Sequence, residues 1–482
     1  FRPRCRYDGL QGGHLKRALP APLRVNAENL LRDFRERLTV PSNCPEEGEF
    51  CEWITQWVDF YRPRVQPSCF DVDITHNACL EIKRGVNGMA GAASFVPCIQ
   101  SYAENGPYAG WYRYMISAEA KTKYSTIPIG KDVLADFLNT TKLIAGSLNL
   151  FSPFIEHRKV CQTATCTASG LHPRVCPLVI FEKGNKTRIP TMTSVVEQVL
   201  ASIYRSAVSH WMVNDPRIAS SMRGFLRIPK PKVLREDWLW RSQDLTTATD
   251  DHDFVTTAFL YKEIGRHLKV PSWWGSVIDT ICGPHEIISY EQCKRIRDWH
   301  EARWLPAVAD GLPWVYPDWR QDRYGQGLIT RRGQFMGTAT SWPKLPLVTL
   351  YAFEKSSAAP MRTLRRRVTA YQGGKLANCT NIREFLALTG EEPAYVELTR
   401  RAPKGAYLVD TTGDDCIALM DRAHSERHSY RLSQIGGVVS LKKDFLDPHY
   451  GIYTEVLLKD GVPMGVMPLG VMCASQGTRS PG

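Results

Sequence analysis

At 482 residues the chain is too long for one simple core, and its 43% hydrophobic and 23% charged residues describe a globular protein of two or three subdomains. The formal net charge of +12 favours a polyanionic partner such as nucleic acid, although a generically basic soluble protein carries the same number. No run of about 18 apolar residues occurs, so nothing reads as a transmembrane helix, and the first twenty residues lack the apolar stretch of a signal peptide. Fourteen scattered cysteines, the closest local pair being Cys161 and Cys166, lack zinc-site spacing and point to free thiols in a reducing compartment. The chain begins without Met and reads as a fragment or a processed product.

In chain order, helical spacing near "AENLLRDFRERL" predicts an amphipathic helix in an N-terminal extension over residues 1–60. A second helix is expected at "MTSVVEQVLASIYRSAVSHWM", where Val195, Val199 and Ile203 recur on one face. A strand-like run ending near Asp244 leads into a third helix, "DFVTTAFLYKEIGRHL", with Phe254, Ala258, Tyr261 and Leu268 on one stripe. Nine of the thirteen Trp residues lie between 238 and 342, and buried packing is the better account of them than base stacking. The basic segment 361–376 suits either phosphate contact or a solvated helix face. Strand-like material concentrates in 405–420 and 452–467, so an α+β fold with a small antiparallel sheet is expected.

The stretch "YLVDTTGDDCIALM" sets Asp414 and Asp415 between two apolar runs. Gly-Asp suits a tight hairpin without any function, and a Gly-Asp-Asp triplet arises by chance in about one chain of this length in ten. The sharper reading is that a rigid turn presents carboxylates whose mutual repulsion calls for cations. It predicts a third carboxylate elsewhere, and "RSQDLTTATDDHD" supplies Asp244 at a strand end, with Asp250 six positions on. Asp244 with Asp414 would suit two divalent ions about 3.5–4 Å apart. In "GQFMGTATSW", Gly333 and Gly337 would allow a close backbone approach to a ligand. In "FEKGNKTRIP", Lys183, Lys186 and Arg188 recur at near-alternate positions, as a ribbon facing a triphosphate would place them.

The ordered set "EKGNKTR", "SQDLTTATD", "GQFMGTATSW", "GDD", then "GGVVSLKKDF" with "GIYTE", resembles the motif series of viral RNA-dependent RNA polymerases. The similarity is to the narnavirus, mitovirus and ourmia-like (botourmiavirus) lineage of positive-strand RNA viruses. Each motif is weak singly; their order over more than half the chain is specific. Two departures stand out. Seventy-two positions separate Ser341 from Gly413, so residues near 357–404 read as an insertion, and "VDTT" is more polar than the usual apolar lead into the turn.

The resemblance implies a right-hand fingers-palm-thumb polymerase whose palm holds a small antiparallel sheet flanked by helices. Fingers are expected from 61–237 and 256–332, palm from 238–255 and 333–455, and the start of an incomplete thumb from 456–482. It implies RNA-directed RNA synthesis on a template and product strand, from nucleoside triphosphates, to replicate a viral genome. Asp244, Asp414 and Asp415 would hold two Mg²⁺ ions, with Mn²⁺ as a substitute, Asp415 more peripherally. Lys186 and Arg188 would bind the triphosphate, Asp250 and Ser341 would sense the ribose 2′-hydroxyl, and Lys443, rivalled by Lys442, would be the general acid. Gly333, Gly337 and Lys183 would lie along the template RNA. The expected location is host cytoplasm, or the mitochondrion for a mitovirus-like protein. A reverse transcriptase shares the two-metal chemistry, but Gly413 before the pair and Thr249-Asp250 after the first Asp favour RNA synthesis. A basic RNA-binding structural protein explains the charge but not five ordered motifs.

Overall fold

The structure is a computed structural model that describes residues 27–67, 69–75, 77–84, 88–89, 124–130, 172–182, 186–223, 228–229, 236–270, 273–299, 328–357, 367–372, 375–379, 395–399, 408–440, 443–454 and 456–464. It is a mixture of helices and small, mainly antiparallel sheets. Helices α1 (Ala27–Thr39) and α2 (Glu47–Phe60) come first. α2 buries Phe50, Trp53, Ile54, Trp57 and Val58, a stripe at helical spacing. Strands β1 (Cys69–Thr75) and β2 (Tyr124–Gly130) pair antiparallel. They are followed by the short strands β3 (Arg174–Pro177), β4 (Ile180–Glu182), β5 (Lys186–Arg188) and β6 (Thr191–Met192).

Helix α3 (Val195–Met212) starts where Ser194 accepts a hydrogen bond from the Glu197 amide, and it buries Val195, Val199 and Ile203 as its periodicity requires. A short helix α4 (Ala219–Met222) precedes strand β7 (Leu239–Gln243). Helix α5 (Phe254–Leu268) is capped by Asp253, whose carboxylate accepts from the Thr256 amide at 2.8 Å. Its stripe buries Ala258, Tyr261 and Leu268, with Phe254 only half-buried at the first turn. Next come α6 (Trp273–Ile281), β8 (Glu286–Ile287), α7 (Tyr290–Trp299) and β9 (Leu328–Ile329).

Helix α8 (Ser341–Ser356) is followed by strands β10 (Arg367–Gln372), β11 (Lys375–Cys379) and β12 (Tyr395–Thr399). These three form a sheet of their own, order β11-β10-β12, inside the stretch read from the sequence as an insertion. The last part of the chain supplies β13 (Val409–Thr412), β14 (Asp415–Met420), α9 (Arg422–Ser433), β15 (Phe445–Asp447), β16 (Tyr450–Tyr453), β17 (Val456–Lys459) and β18 (Val462–Pro463).

The element that matters most is the four-stranded antiparallel sheet of order β13-β14-β7-β15. Its register sets Gln243 opposite Cys416 and Ser242 opposite both Ile417 and Phe445. Side chains alternate across β14. Cys416, Ala418 and Met420 join the main core with Leu350 and Tyr351 of α8 and Leu432 of α9. Ile417 and Leu419 join Trp240, Tyr453 and Leu458 on the opposite face, against β16 and β17. The sheet is thus covered by helices on one side and by a second small sheet on the other, which is why β7 and β14 are buried along their length. No helix among the described residues is long and apolar enough to cross a membrane.

Candidate functional site: a carboxylate cluster at the end of the central sheet

β13 and β14 are joined by the two-residue turn Gly413-Asp414, since Thr412 pairs with Asp415. Gly413 has φ +61°, while Asp414 is not among the positive-φ residues, so the turn needs a glycine at its first central position only. A Cβ on Gly413 would lie 3.0 Å from Nε1 of Trp342, whose ring sits under the turn. Asp244 follows directly on β7, the neighbour of β14, and is buried. Residues 170 positions apart therefore meet at one end of the sheet. Burial first, then the Asp244 carboxylate beside it and next the Asp415 charge, push the Asp414 carboxyl from an ordinary 3.8 up to about 7.

Lys443 reaches the same place from the turn before β15. Its Nζ pairs with Asp244 Oδ2, and its amide donates to Ser440 O, while the Ser440 amide donates to Asp244 O. The neighbouring Asp444 is gripped by Arg241, a fully buried side chain of β7. Arg241 Nε and a terminal nitrogen meet the two carboxylate oxygens at 3.1 Å each, and further bonds reach Ser425 O and Ser429 Oγ of α9 at 2.6 Å. β7 thus fixes Asp244 and Lys443 together. On the other side of the turn, Tyr453 Oη donates to the buried Asp410 Oδ1 at 2.6 Å and lies 2.7 Å from Thr412 Oγ1, which ties β13 to β16.

The remaining expected residues are distributed around this centre. Asp250 lies in the turn after β7, buried, with Oδ2 accepting from Arg37 Nε at 3.2 Å and from a terminal Arg37 nitrogen at 3.0 Å. Burial raises its carboxyl and Arg37 offsets only part of that. Ser341 opens α8 and donates to Thr338 O at 2.8 Å. No hydrogen bond among the described residues joins it to Asp250. Ser341, Gly337 and Trp342 instead border a cleft of about 700 Å³ that also meets Met192, Arg84 and Arg205.

Gly333 and Gly337 are closely approached, but by the chain itself. A Cβ at Gly333 would lie 2.4 Å from Leu38 Cδ2 and 2.9 Å from Asp250 O, and one at Gly337 would lie 1.9 Å from Thr191 O. Arg188 pairs with Glu182 across the β4–β5 hairpin at 2.9 Å, with both side chains substantially exposed, and none of the clustered aspartates is its partner. Lys186 begins β5. Lys183, Lys442 and Glu455 lie outside the described residues.

No family model and no curated protein matches the chain.

The donor set at the hairpin is entirely hard oxygen, and the repulsion from Asp244 and Asp415 that adds to burial in raising Asp414 is what a divalent cation would relieve, so these residues fit magnesium or manganese. Among the described residues, the one trio of Asp, Glu or His whose ligand atoms all lie within 4.8 Å of one another is elsewhere: Asp59, Glu263 and His267. Asp244, Asp414 and Asp415 do not all close to that spacing. In the Asp59 trio the Arg266 guanidinium already lies 2.6 Å from Glu263, 3.5 Å from Asp59 and 3.0 Å from His267 Nε2.

Sequence reasoning missed Arg37, Arg241, Trp342 and Lys344. Lys344 is buried in α8 with Nζ donating to Asp253 O, Thr256 Oγ1 and Thr257 Oγ1, and burial holds its ammonium down to about 8. It clamps the start of α8 to the start of α5. A lysine one turn into an apolar helix was its only signal.

Proposed function

We propose that the chain is an RNA-dependent RNA polymerase, with the central sheet as the palm of a right-hand fold. The reaction is template-directed attack of an RNA 3′-hydroxyl on the α-phosphate of a nucleoside triphosphate, releasing pyrophosphate. The observation that carries this reading is the placement of Asp244 at the end of β7 beside the Gly413-Asp414 turn, with Lys443 on Asp244. A turn shaped only for folding has no need of three aspartates at one sheet end, with one carboxyl driven up to about 7. The motif order read from the sequence, which includes these residues together with "EKGNKTR" and "GQFMGTATSW", also supports it.

Asp244 and Asp414, with Asp415 at the periphery, would hold two magnesium ions, which when bound lower the pKa of the 3′-hydroxyl and offset charge on the leaving oxygens. The chain's own groups do the rest. The Arg241–Asp444 pair holds Lys443 where its Nζ can donate a proton to the departing pyrophosphate. Asp250 offers a carboxylate to the ribose 2′-hydroxyl, the group that distinguishes RNA precursors. Ser341 faces the cleft from the first turn of α8, with the backbone of Gly337 beside it. Arg188, on the exposed β4–β5 hairpin, would exchange Glu182 for the triphosphate.

Primer extension on an RNA template tests the proposal. Wild-type protein should extend with ribonucleotides in magnesium, and Asp414→Ala should abolish extension while leaving the melting profile of a folded protein. Extension by Asp414→Ala at the wild-type rate would overturn the assignment. A wild-type protein that binds RNA without extending it would instead favour a structural RNA-binding role.

A further inference from the structure

Helix α1 belongs to a part of the chain that the motif series does not include, yet its last turn is built into the turn carrying Asp250. Arg37 places two nitrogens on a single oxygen of Asp250, Oδ2, at 3.0 and 3.2 Å. The other oxygen, Oδ1, accepts no hydrogen bond from the described residues. The contact is not a loose surface pair, because the Asp250 side chain is 11% exposed and the backbone around it is laced in place. The Arg331 amide donates to Leu38 O at 2.7 Å, Arg332 Nε donates to Arg37 O at 2.8 Å, and Arg332 pairs with Asp251 at 3.1 Å. The Gly333 amide donates to His252 O and the Gln334 amide to Thr249 O, both at 2.7 Å. Gly333 is the spacer that lets Leu38 and the Asp250 carbonyl come together, since a Cβ there would strike both.

Two arginines, two aspartates and three chain segments thus form one unit, and its centre is the orientation of the Asp250 carboxylate. We infer that Arg37 is a positioning residue for nucleotide selection: by holding Oδ2 it aims Oδ1 at the ribose, and α1 is thereby part of the nucleotide site. This rests on the polymerase reading and deepens it. A carboxylate free to rotate would accept a 2′-hydroxyl at a higher entropic cost, whereas one fixed through its other oxygen is set before the nucleotide arrives. Arg suits the task because its planar fork supplies two nitrogens from a rigid frame, where Lys supplies a single point charge.

The test is competitive incorporation of NTP against dNTP by wild type, Arg37→Ala, Arg37→Lys, Asp250→Ala and the double variant Arg37→Ala/Asp250→Ala, with thermal melting of each. Arg37→Ala should lower the NTP/dNTP preference at least about tenfold, because a polar contact to the substrate hydroxyl is weakened. Arg37→Lys should recover part of it. In the Asp250→Ala background Arg37→Ala should change the preference no further, since both act through one contact. A general loosening of the fold would depress NTP and dNTP incorporation alike and leave the ratio unmoved. If Arg37→Ala proves unstable, Arg37→Lys carries the comparison, and a wild-type ratio there overturns the inference. A preference lowered by Asp250→Ala but untouched by Arg37→Ala would remove Arg37 from the site while leaving the polymerase reading intact. No ribonucleotide extension by the wild-type protein would overturn both.

Discussion

Lys443 Nζ is paired with Asp244 Oδ2, which joins the end of β7 to the turn before β15 and brings a proton donor onto a proposed metal ligand. Arg at position 443 would keep that pair and its charge, but guanidinium scarcely releases a proton at neutral pH because its pKa is above about 12. Lys443→Arg should therefore slow single-turnover incorporation at least about tenfold, with nucleotide affinity little changed. Wild-type single-turnover rates would show that this side chain supplies only positive potential.

Asp414 carries a pH prediction. Its carboxyl is raised from 3.8 to about 7 in the folded chain, so it favours folding while protonated. That contribution is complete below about pH 4 and is lost as the pH rises through about 7. Magnesium binds the ionised form and should offset the loss, so the metal-induced rise in Tm should be larger near about pH 8 than near about pH 5.5. Asp414→Asn should raise the metal-free Tm at the higher pH and shrink the metal response. A magnesium shift that is equal at both pH values in the wild type would contradict this account.

Three glycines form a graded series. Gly413→Ala must hold φ +61° and bring a Cβ to 3.0 Å from the Trp342 indole, and the left-handed conformation alone costs about 1–2 kcal/mol. Gly337→Ala would place a Cβ 1.9 Å from a backbone oxygen of Thr191, which cannot rotate away, so a loss of at least about 2 kcal/mol is expected. Gly48, in the first turn of α2, has nothing within 4 Å of its would-be Cβ, and Gly48→Ala should stabilise by up to about 1 kcal/mol. Urea denaturation of the three variants checks the order, and a destabilised Gly48→Ala would break it.

Tyr453→Phe removes the hydroxyl that reaches both Asp410 Oδ1 and Thr412 Oγ1 next to the Gly413-Asp414 turn. Asp410 is fully buried, and leaving a buried acceptor without its donor costs about 1–3 kcal/mol. The variant should lose stability by that order and lower the rate of primer extension more than primer binding. Unchanged denaturation midpoints would mean that the hydroxyl is dispensable to β13.

What could be read beforehand follows from the range over which each signal acts. The stripe of Val195, Val199 and Ile203 is local, and so is that of Ala258, Tyr261 and Leu268 in α5; both were legible from a few neighbouring residues. The Gly413-Asp414 hairpin was legible for the same reason, although only Gly413 uses the left-handed region. Segment 361–376 offered helix or phosphate contact, and the cluster of arginines obscured a period of two in "RVTAYQ". The described residues there form β10 and β11, favoured by β-branched Val368 and Thr369 with Tyr371, and Gly373-Gly374 lie between the two strands in sequence. Strands such as β6, β8 and β9, two residues each, are too short to show any period. Arg37 with Asp250 and Arg241 with Asp444 are pairs more than two hundred positions apart, and no local pattern marks either partner.

Strand order also sets a timetable. β7 lies between β14 and β15, and its register partners Cys416 and Phe445 follow it at a distance of well over a hundred residues. During synthesis β7 therefore leaves the ribosome with both edges unpaired, and it stays so until the last third of the chain has been made. Closing so large a loop makes this sheet a late and slow event in folding, with both edges of β7 exposed to wrong partners in the meantime. Fragments that stop before residue 408 should consequently aggregate, whereas chains that extend through Asp447 can close both edges of β7. The same order that gathers distant aspartates at one sheet end makes their assembly dependent on protection of the nascent chain.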